Sequence, residues 1–484
     1  MSKNGTMSEG TKPYSQRTKV ESGAGEARIG DRKRALGVTR KLAKFAHDLG
    51  ISDLSQEVCN QGLWVIRDTL GTMLAGAVLP EVKGLAEMVN TLGCSGRSTL
   101  MGRQETVIPH VAALVNGTGA VSLELDEGNQ YAINHPAVHI FPAALALAEE
   151  QRQSGAELLT AFIAGYEVAV RVGRATHLRE AVHPFGTHAT VGVAAAACRL
   201  LGMDVEQMAQ TLDLAAGMCI ASSQTAANTG ASVRNLVTGL TNHNGLLAPL
   251  LVQAGFTGEP GSLNVVFGHI LGDSFSDDQL GDDLGREFYI NRNYFKLYAC
   301  SRWNHAPIEA MATLLARTPF EAREVEEIRV WTYDPATRLS WNDPANGYAA
   351  KHSIPYNVAV RLVRGTNDLD AYSEDAVSDP QVRAIARRVV VREDPKLTAM
   401  LPDVRPARVE VKLRSGSTLT ESVERPRGGF DRPLTEEELK TKFRCLARMT
   451  LPEPAVEEVE KMLANLLELE DITALRPFLQ GMKP

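Results

Sequence analysis

Several signatures of common enzyme classes are absent from this sequence of 484 residues. It contains no GxGxxG, Walker A, HExxH or GxSxG motif, which argues against the common nucleotide-binding, metalloprotease and serine-hydrolase classes. Its six cysteines include no CxxC pair, so neither a disulfide framework nor a zinc ribbon is predicted, and a reducing cytoplasm is the expected compartment. No apolar run approaches the roughly 18 residues of a membrane span. The first forty residues also lack the apolar core of a signal peptide.

An excess of positive charge is lacking as well. The formal net charge is −7, so neither nucleic acid nor an anionic membrane is the expected partner. Hydrophobic residues make up 44% and charged residues 23%, ordinary values for a soluble globular protein. An anionic ligand would therefore need a local basic cluster that works against the global charge.

Hydrophobic patterning divides the chain into four segments. A tail with almost no large apolar side chain is predicted to be disordered. A long stretch with apolar residues at helical spacing follows, then an insertion with alternating segments, then amphipathic helices that begin at a capping box, Thr435 with Glu438. The predicted boundaries are 1–37, 38–292, 293–432 and 433–484.

The insertion carries the strand signals of the chain. Residues 327–333 and 408–413 alternate apolar and polar side chains, as half-buried strands do. Ser-Gly-Ser at 415–417 offers a turn before a partner strand around Leu419, and helices are expected between the strands. The predicted fold class is mainly α: a large all-helical domain with a smaller α+β insertion, completed by the C-terminal helices.

The segment 124–136 concentrates three carboxylates, three amides and a histidine in front of an apolar helix. Pro136 suits the first turn of that helix, so His135 is expected at its N-terminus, where a neutral imidazole is favoured and an anion is welcome. This is a plausible place for proton transfer on a carboxylate substrate, although a capping or satisfied polar histidine is the ordinary alternative. His139 shares the same helix face, but a metal pair is disfavoured because no third ligand lies nearby.

Cationic residues recur at two other places. Arg234 lies on a small-residue loop before an apolar helix, where it pairs with an acid or grips a carboxylate bidentately. The segment 294–305 places Lys296, Arg302 and His305 among aromatic residues at the junction with the insertion, where pockets often form. This cluster has the character of an anion site. A second His-Pro pair at His183 precedes another small-residue helix.

Taken together, these segments resemble the MmgE/PrpD family over about residues 38–475. The family is identified by several motifs in order and spacing rather than by any one of them. They lie at 100–103, 112–117, 123–128, 135–136, 183–192, 233–236, 293–305 and 353–356.

The resemblance implies a cofactor-independent enzyme, usually a homodimer, whose active site lies in a cleft between a helical domain and an α+β lid. It carries no metal site. Its functional residues transfer to matching positions of this sequence: the acidic motif to Glu124 and Asp126, the proton-transfer histidine to His135, the second pocket histidine to His183, the carboxylate-binding lysine to Lys296, and two lid-side pocket positions to His305 and Tyr356.

The sequence departs from the commoner family pattern in two places. The acidic motif reads Glu-Leu-Asp-Glu where many members have Asp-x-Asp-Asp, and Arg234 stands where those members have a lysine. The expected chemistry is proton abstraction next to a carboxylate on a small di- or tricarboxylic acid, with Arg234 and Lys296 holding carboxylates. Dehydration of a 2-methylcitrate-like substrate is the first choice. Decarboxylation, epimerisation and non-catalytic metabolite binding are the alternatives.

Overall fold

The computed structural model describes residues 37–280 and 283–481. The predicted disordered tail, 1–37, lies outside these residues apart from Gly37. The described chain is mainly helical. Its α-helices of five residues or more are α1 (37–48), α2 (Gln56–Gly76), α3 (Pro80–Thr91), α4 (Pro109–Ser122), α5 (Pro136–Gln151), α6 (Gly155–Ala175), α7 (Ala189–Leu200), α8 (Val205–Gly217), α9 (Val233–Gln253), α10 (His305–Arg317), α11 (Ile354–Arg364), α12 (Glu374–Ser378), α13 (Pro380–Ala386), α14 (Glu436–Ala447) and α15 (Glu453–Ala464).

The strands form one larger sheet and several short pairs. Four strands make up the larger sheet: β1 (Val325–Thr332), β2 (Val389–Glu393), β3 (Ala407–Leu413) and β4 (Thr418–Val423). Their order is β2-β1-β3-β4, with β2 parallel to β1 and the other neighbours antiparallel. The two-stranded pairs join Ser95–Thr99 with Thr106–Val107, Gly128–Asn129 with Asn293–Tyr294, Thr176–Leu178 with Gly272–Phe275, and Val182–His183 with Ser222–Ser223.

Two large hydrophobic cores underlie this arrangement. One is built from α1, α2 and α4 to α9 and includes residues of the C-terminal helices α14 and α15. The other lies between residues 299 and 411 and includes the inward side chains of β1, β2 and β3. Helix α10 packs against β3 and β4, and α11 packs against β2. The C-terminal helix α14 returns to pack against α2.

Helices α6 and α7 meet backbone to backbone at Gly165 and Gly192. A Cβ atom added at either glycine would lie 2.5 Å from the carbonyl oxygen of the other, closer than a packed interior tolerates. The small-residue run of α7 therefore permits a helix contact that larger side chains would prevent.

Helix α5, which begins directly after His135, is held by a side chain of α9. Pro142 lies inside α5 and has no N–H to donate to the carbonyl of Val138. Nδ2 of Asn242 donates to the Val138 carbonyl instead, at 3.0 Å. Oδ1 of the same side chain accepts the N–H of Ala143, also at 3.0 Å. The N-terminal turn of α5 is thereby fixed against the centre of the helical core.

The strongly periodic predicted elements agree with the structure. The expected strands near 327–333 and 408–413 appear as β1 and β3, and the partner strand near Leu419 appears as β4. The capping box of Thr435 and Glu438 is present at the start of α14. The run Val389–Glu393 was not predicted as a strand, although it pairs in parallel with β1.

Within residues 37–280 and 283–481, no single helix is both long and apolar enough to cross a membrane. The helices α2 and α3 pass that test only as a pair, and they are bent by 83° relative to each other.

Candidate active site

His135 occupies the N-cap position of α5, with Pro136 in the first helical turn. Its Nδ1 forms a short hydrogen bond with Oδ2 of Asp126. The ring stands edge-on to Phe185, with ring centres 5.1 Å apart. The expected arrangement of a histidine at a helix mouth facing an acidic loop is therefore present.

The hydrogen bond to Asp126 decides which nitrogen of His135 is available. A carboxylate can only accept, so Nδ1–H of His135 donates and the neutral ring keeps its lone pair on Nε2. That atom lies 3.3 Å from the hydroxyl of Tyr294. Burial lowers the pKa of His135 despite the opposing effect of Asp126. His135 can therefore accept a proton at Nε2 and return it from the same atom.

A four-residue charge cluster lies beneath His135. Lys296 Nζ lies 3.0 Å from Oε2 of Glu124 and 3.1 Å from Oδ1 of Asp126. Arg234 Nη1 forms a short ion pair with Oε1 of Glu124. Burial alone would raise the pKa of Glu124, but Arg234 and Lys296 outweigh it and hold that pKa well below its usual range. Two cations and two anions thus balance each other within the cluster.

The backbone at Glu124 is strained and is held from two sides. Glu124 has φ of +56°, a left-handed conformation that non-glycine residues rarely adopt. Lys351 Nζ donates to the carbonyl of Leu123 at 2.6 Å, and Lys442 Nζ donates to the carbonyl of Leu125 at 2.6 Å. The carbonyls on both sides of Glu124 are therefore fixed by buried or nearly buried lysines.

Replacing Lys351 by methionine is expected to lower kcat about tenfold to a hundredfold, because small displacements of catalytic groups are costly. The carbonyl of Leu123, which directly precedes Glu124, would lose the hydrogen bond that holds it. Steady-state kinetics would check this, together with calorimetric binding of propane-1,2,3-tricarboxylate, a tricarboxylic acid of the kind that the family resemblance implies; binding is expected to change little. Lys412→Met, an exposed lysine of β3 paired with Glu326, is the matched control. A kcat equal to that of this control would contradict the positioning role.

Glu127 follows the cluster and is buried without a basic partner. Its Oε1 accepts the Tyr166 hydroxyl at 2.5 Å, while its Oε2 has no hydrogen-bond partner within the described part of the chain. Burial raises the pKa of Glu127 to about 8. Because the folded-state pKa lies above the usual 4.5, the stabilising effect of its proton is complete below pH 4.5 and is lost as the pH rises towards 8.

Glu127→Gln is expected to remove this loss of stability. Each unit of pKa difference corresponds to about 1.4 kcal/mol, so the variant should gain on the order of a few kcal/mol relative to wild type between pH 5 and pH 8.5. Urea unfolding across that range measures it. The exposed Glu470→Gln serves as the control, and parallel stability profiles of Glu127→Gln and wild type would refute the expectation.

A cavity of about 580 Å³ opens beside His135. Its lining combines segments on both sides of the junction near residue 293. The polar side chains that face it include His135, His183, Arg234, Tyr294, Arg302, His352 and Arg405. Burial lowers the pKa of His352 to about 4 and that of His183 well below its usual value, so these rings are neutral. The positive charge on the wall of the cavity therefore comes from its arginine side chains.

The remaining predicted site residues occupy different surroundings. His183 lines the cavity, and its Nδ1 accepts the N–H of Phe185 at 3.1 Å. His305 is buried beside Arg302, with Nδ1 3.2 Å from the guanidinium, and does not line the cavity. Tyr356 is fully buried, and its hydroxyl donates to the carbonyl of Ala371 at 2.5 Å. The structure brings neither His305 nor Tyr356 to the cavity.

Sequence reasoning did not single out His352 or Arg405. His352 Nε2 lies 3.9 Å from Oε1 of Glu124, and a signal for it exists, since it immediately precedes the Ser353 cap of α11 much as His135 precedes α5. Arg405 lies in an irregular segment before β3 and has no such signal. Among residues 37–280 and 283–481, no group of three or more His, Cys, Asp or Glu side chains is arranged to hold a metal ion.

Comparisons with known proteins agree with this architecture. The MmgE/PrpD N-terminal domain model matches residues 40–272, and the MmgE/PrpD C-terminal domain model matches residues 298–468. Similar proteins include cis-aconitate decarboxylase of Aspergillus terreus, 27% identical over 468 residues that cover 91% of this chain and 95% of the relative. The mouse cis-aconitate decarboxylase is 26% identical over 466 residues, covering 92% of this chain and 93% of that protein.

A second kind of relative matches over a shorter stretch. The mitochondrial 2-methylcitrate dehydratase of Yarrowia lipolytica is 27% identical over 288 residues, which cover 54% of this chain and 53% of the relative. By their names these relatives are lyases, which break a bond to carbon without hydrolysis or oxidation. Because the two domain models together match most of its length, the chain belongs to the MmgE/PrpD family.

Proposed function

We propose that this protein is a cofactor-independent lyase that acts on a small tricarboxylic acid by moving a proton at the carbon next to a carboxylate. One observation carries the proposal. His135 lines an arginine-rich cavity, and the hydrogen bond of its Nδ1 to Asp126 leaves Nε2 as the atom available for proton transfer. A proton-transfer atom and a cationic wall are the two elements that carbanion- or enolate-like chemistry requires.

The proposed roles follow from the contacts in the cluster. His135 transfers the proton, and Asp126 orients its ring and stabilises the imidazolium. Lys296 contacts both Glu124 and Asp126 and holds the two carboxylates in place. Arg234, which lines the cavity, shares its charge between Glu124 and a substrate carboxylate. Lys296, predicted from sequence to bind substrate, is here proposed to support the two acidic residues instead.

Decarboxylation of a cis-aconitate-like substrate is the favoured reaction. The similarity to cis-aconitate decarboxylases covers more than nine-tenths of the chain, whereas that to the 2-methylcitrate dehydratase of Yarrowia lipolytica covers 54%. The bond to one carboxylate breaks, and its electron pair forms a new carbon–carbon double bond. The original double bond shifts its electrons to take up a proton from His135, and CO2 leaves. The substrate's own negative charge raises the pKa of His135 when it is bound, so that the proton is available.

Dehydration of a 2-methylcitrate-like substrate is the second candidate, and the shorter matches to 2-methylcitrate dehydratases favour it. Here Nε2 of His135 would remove a proton, and the departing hydroxyl would need a proton donor. His183 and His352 line the same cavity, but both rings are neutral and deeply buried. Dehydration thus needs a second proton donor besides His135, whereas decarboxylation needs His135 alone.

We further propose the layout that accompanies this function. Residues 38–292 and 433–484 would form a helical domain, residues 293–432 a lid, and two copies a homodimer in the cytoplasm. The two separate hydrophobic cores and the packing of α14 on α2 support the division into domains, and the homodimer and its location are proposed from the family resemblance.

The function is tested by incubating the purified protein, without added cofactor, with cis-aconitate and with 2-methylcitrate. Proton NMR and mass spectrometry identify the products. Loss of CO2 from cis-aconitate is the expected result, and loss of water from 2-methylcitrate alone would favour the second candidate. Binding of both acids without conversion of either would overturn the proposal in favour of a metabolite-binding protein.

A further inference from the structure

The wall of the cavity beside His135 contains more arginine side chains than the one that is paired with Glu124. The arginines in its wall are Arg179, Arg234, Arg302, Arg338 and Arg405. Their hydrogen-bonding partners differ, and those partners decide which guanidinium is free to take an anionic ligand.

The two arginines at the rim are paired with acids. Arg179 Nη1 lies 3.0 Å from Oδ1 of Asp273, and Arg338 Nη2 lies 3.3 Å from Oε1 of Glu180. Both arginine side chains are more than one-third exposed. Such solvated pairs add little local attraction for an anion.

The two arginines deeper in the wall are also engaged. Arg234 is paired with Glu124, so only part of its charge is available to a ligand. Arg302 donates to the carbonyls of Arg427 at 2.7 Å and Pro426 at 2.8 Å. Its charge contributes to the field of the cavity, but its terminal nitrogens are occupied by backbone.

Arg405 differs from these four. It is 8% exposed, and within the described residues it forms no ion pair and a single hydrogen bond, from Nη2 to the carbonyl of Gln130 at 3.3 Å. Its guanidinium carbon lies 5.8 Å from the ring centre of Tyr294, whose hydroxyl lies 3.3 Å from Nε2 of His135. A largely desolvated guanidinium with unused donors is unfavourable until an anion completes it.

We propose that Arg405 is a substrate-recognition residue, whose guanidinium binds a carboxylate of the tricarboxylic acid that takes no part in bond breaking. This inference rests on the proposed function for the identity of the ligand. The planar fork of arginine matches a carboxylate bidentately. The Tyr294 ring borders both Arg405 and the proton-transfer atom, so a carboxylate held by Arg405 lies within one small molecule's length of His135.

The test uses propane-1,2,3-tricarboxylate, a saturated tricarboxylate with no double bond to rearrange, as the calorimetric probe. Arg405→Gln is expected to weaken its binding at least about tenfold, because a buried charged hydrogen bond is lost. Arg405→Lys should bind with intermediate strength, since it keeps the charge and loses the fork. Arg338→Gln, at the paired rim position, should bind within about twofold of wild type.

Steady-state kinetics with cis-aconitate provide a second readout. Arg405→Gln is expected to raise KM at least about tenfold with a smaller change in kcat, because the carboxylate it binds is remote from the reacting bond. A merely structural role would instead lower the amount of active enzyme and leave KM unchanged. Arg405→Lys keeps the buried charge. The same comparison of KM with kcat can be made with this variant if Arg405→Gln folds poorly.

The outcomes separate this inference from the proposed function. If wild type binds the probe, Arg405→Gln does not, and no substrate is converted, the carboxylate site stands and the lyase assignment fails. Equal binding of the probe by wild type and both Arg405 variants would overturn the inference whatever the activity. Absence of probe binding by wild type would overturn it as well.

Discussion

His135→Ala is expected to lower turnover of the substrate by about 10²- to 10⁴-fold, the usual contribution of a positioned acid–base group. The variant should still bind propane-1,2,3-tricarboxylate within a few-fold of wild type, because the arginines of the cavity wall remain. Steady-state kinetics and calorimetry on the same preparations measure both effects. A loss of kcat with retained binding separates a proton-transfer role from a structural one.

Two further variants sharpen this expectation. Asp126→Asn should also lower kcat, since an amide can donate to Nδ1 and thereby favour the ring form that carries its proton on Nε2. Tyr294→Phe removes a hydroxyl 3.3 Å from Nε2 and should have a smaller effect, because the ring keeps its packing. Turnover by His135→Ala at more than half the wild-type rate would contradict the assignment of His135.

Lys296→Met is expected to lower the free energy of unfolding by about 3–5 kcal/mol, the usual consequence of breaking a buried ion pair. The Lys296 side chain is fully buried and lies within 3.1 Å of carboxylate oxygens on both Glu124 and Asp126. Without it, two buried carboxylates share only Arg234 and the neutral form of His135. Urea unfolding at neutral pH measures the loss.

The controls test whether uncompensated charge is the cause. Adding Asp126→Asn to Lys296→Met should recover part of the lost stability, since one of the two unpaired carboxylates becomes neutral. Lys412→Met, the exposed lysine of β3, should change stability by less than about 1 kcal/mol. A Lys296→Met protein as stable as wild type would show that the cluster is not held together as its contacts indicate.

Sequence patterning predicts the gross architecture well because burial imposes periodicity. A local pattern in the sequence marks the helices that meet at Gly165 and Gly192, the strands β1 and β3, and the cap at Thr435. The parallel strand β2 leaves only a weak one, because its three β-branched valines form a short run that directly follows a helical segment. Its pairing with β1 depends on contacts between residues about sixty positions apart.

In the candidate site, too, contacts between residues close in sequence were predictable and contacts between distant residues were not. The acidic loop and His135 are adjacent in sequence, so their meeting was predictable. Arg234 and Lys296 were predicted to bind carboxylates of a substrate, but sequence alone could not show that both lie against Glu124, which is 110 and 172 residues away. Resemblance drew attention to Tyr356, whereas the cavity is lined instead by His352 of the same segment.

The central claim is that His135 moves a proton at a carbon next to a substrate carboxylate. Its most direct test is proton NMR of cis-aconitate incubated with the protein in heavy water. Wild type should place one deuterium in the product at a single carbon, and His135→Ala should form product and exchange about 10²- to 10⁴-fold more slowly. Product formed without deuterium, or exchange undiminished in His135→Ala, would contradict the account.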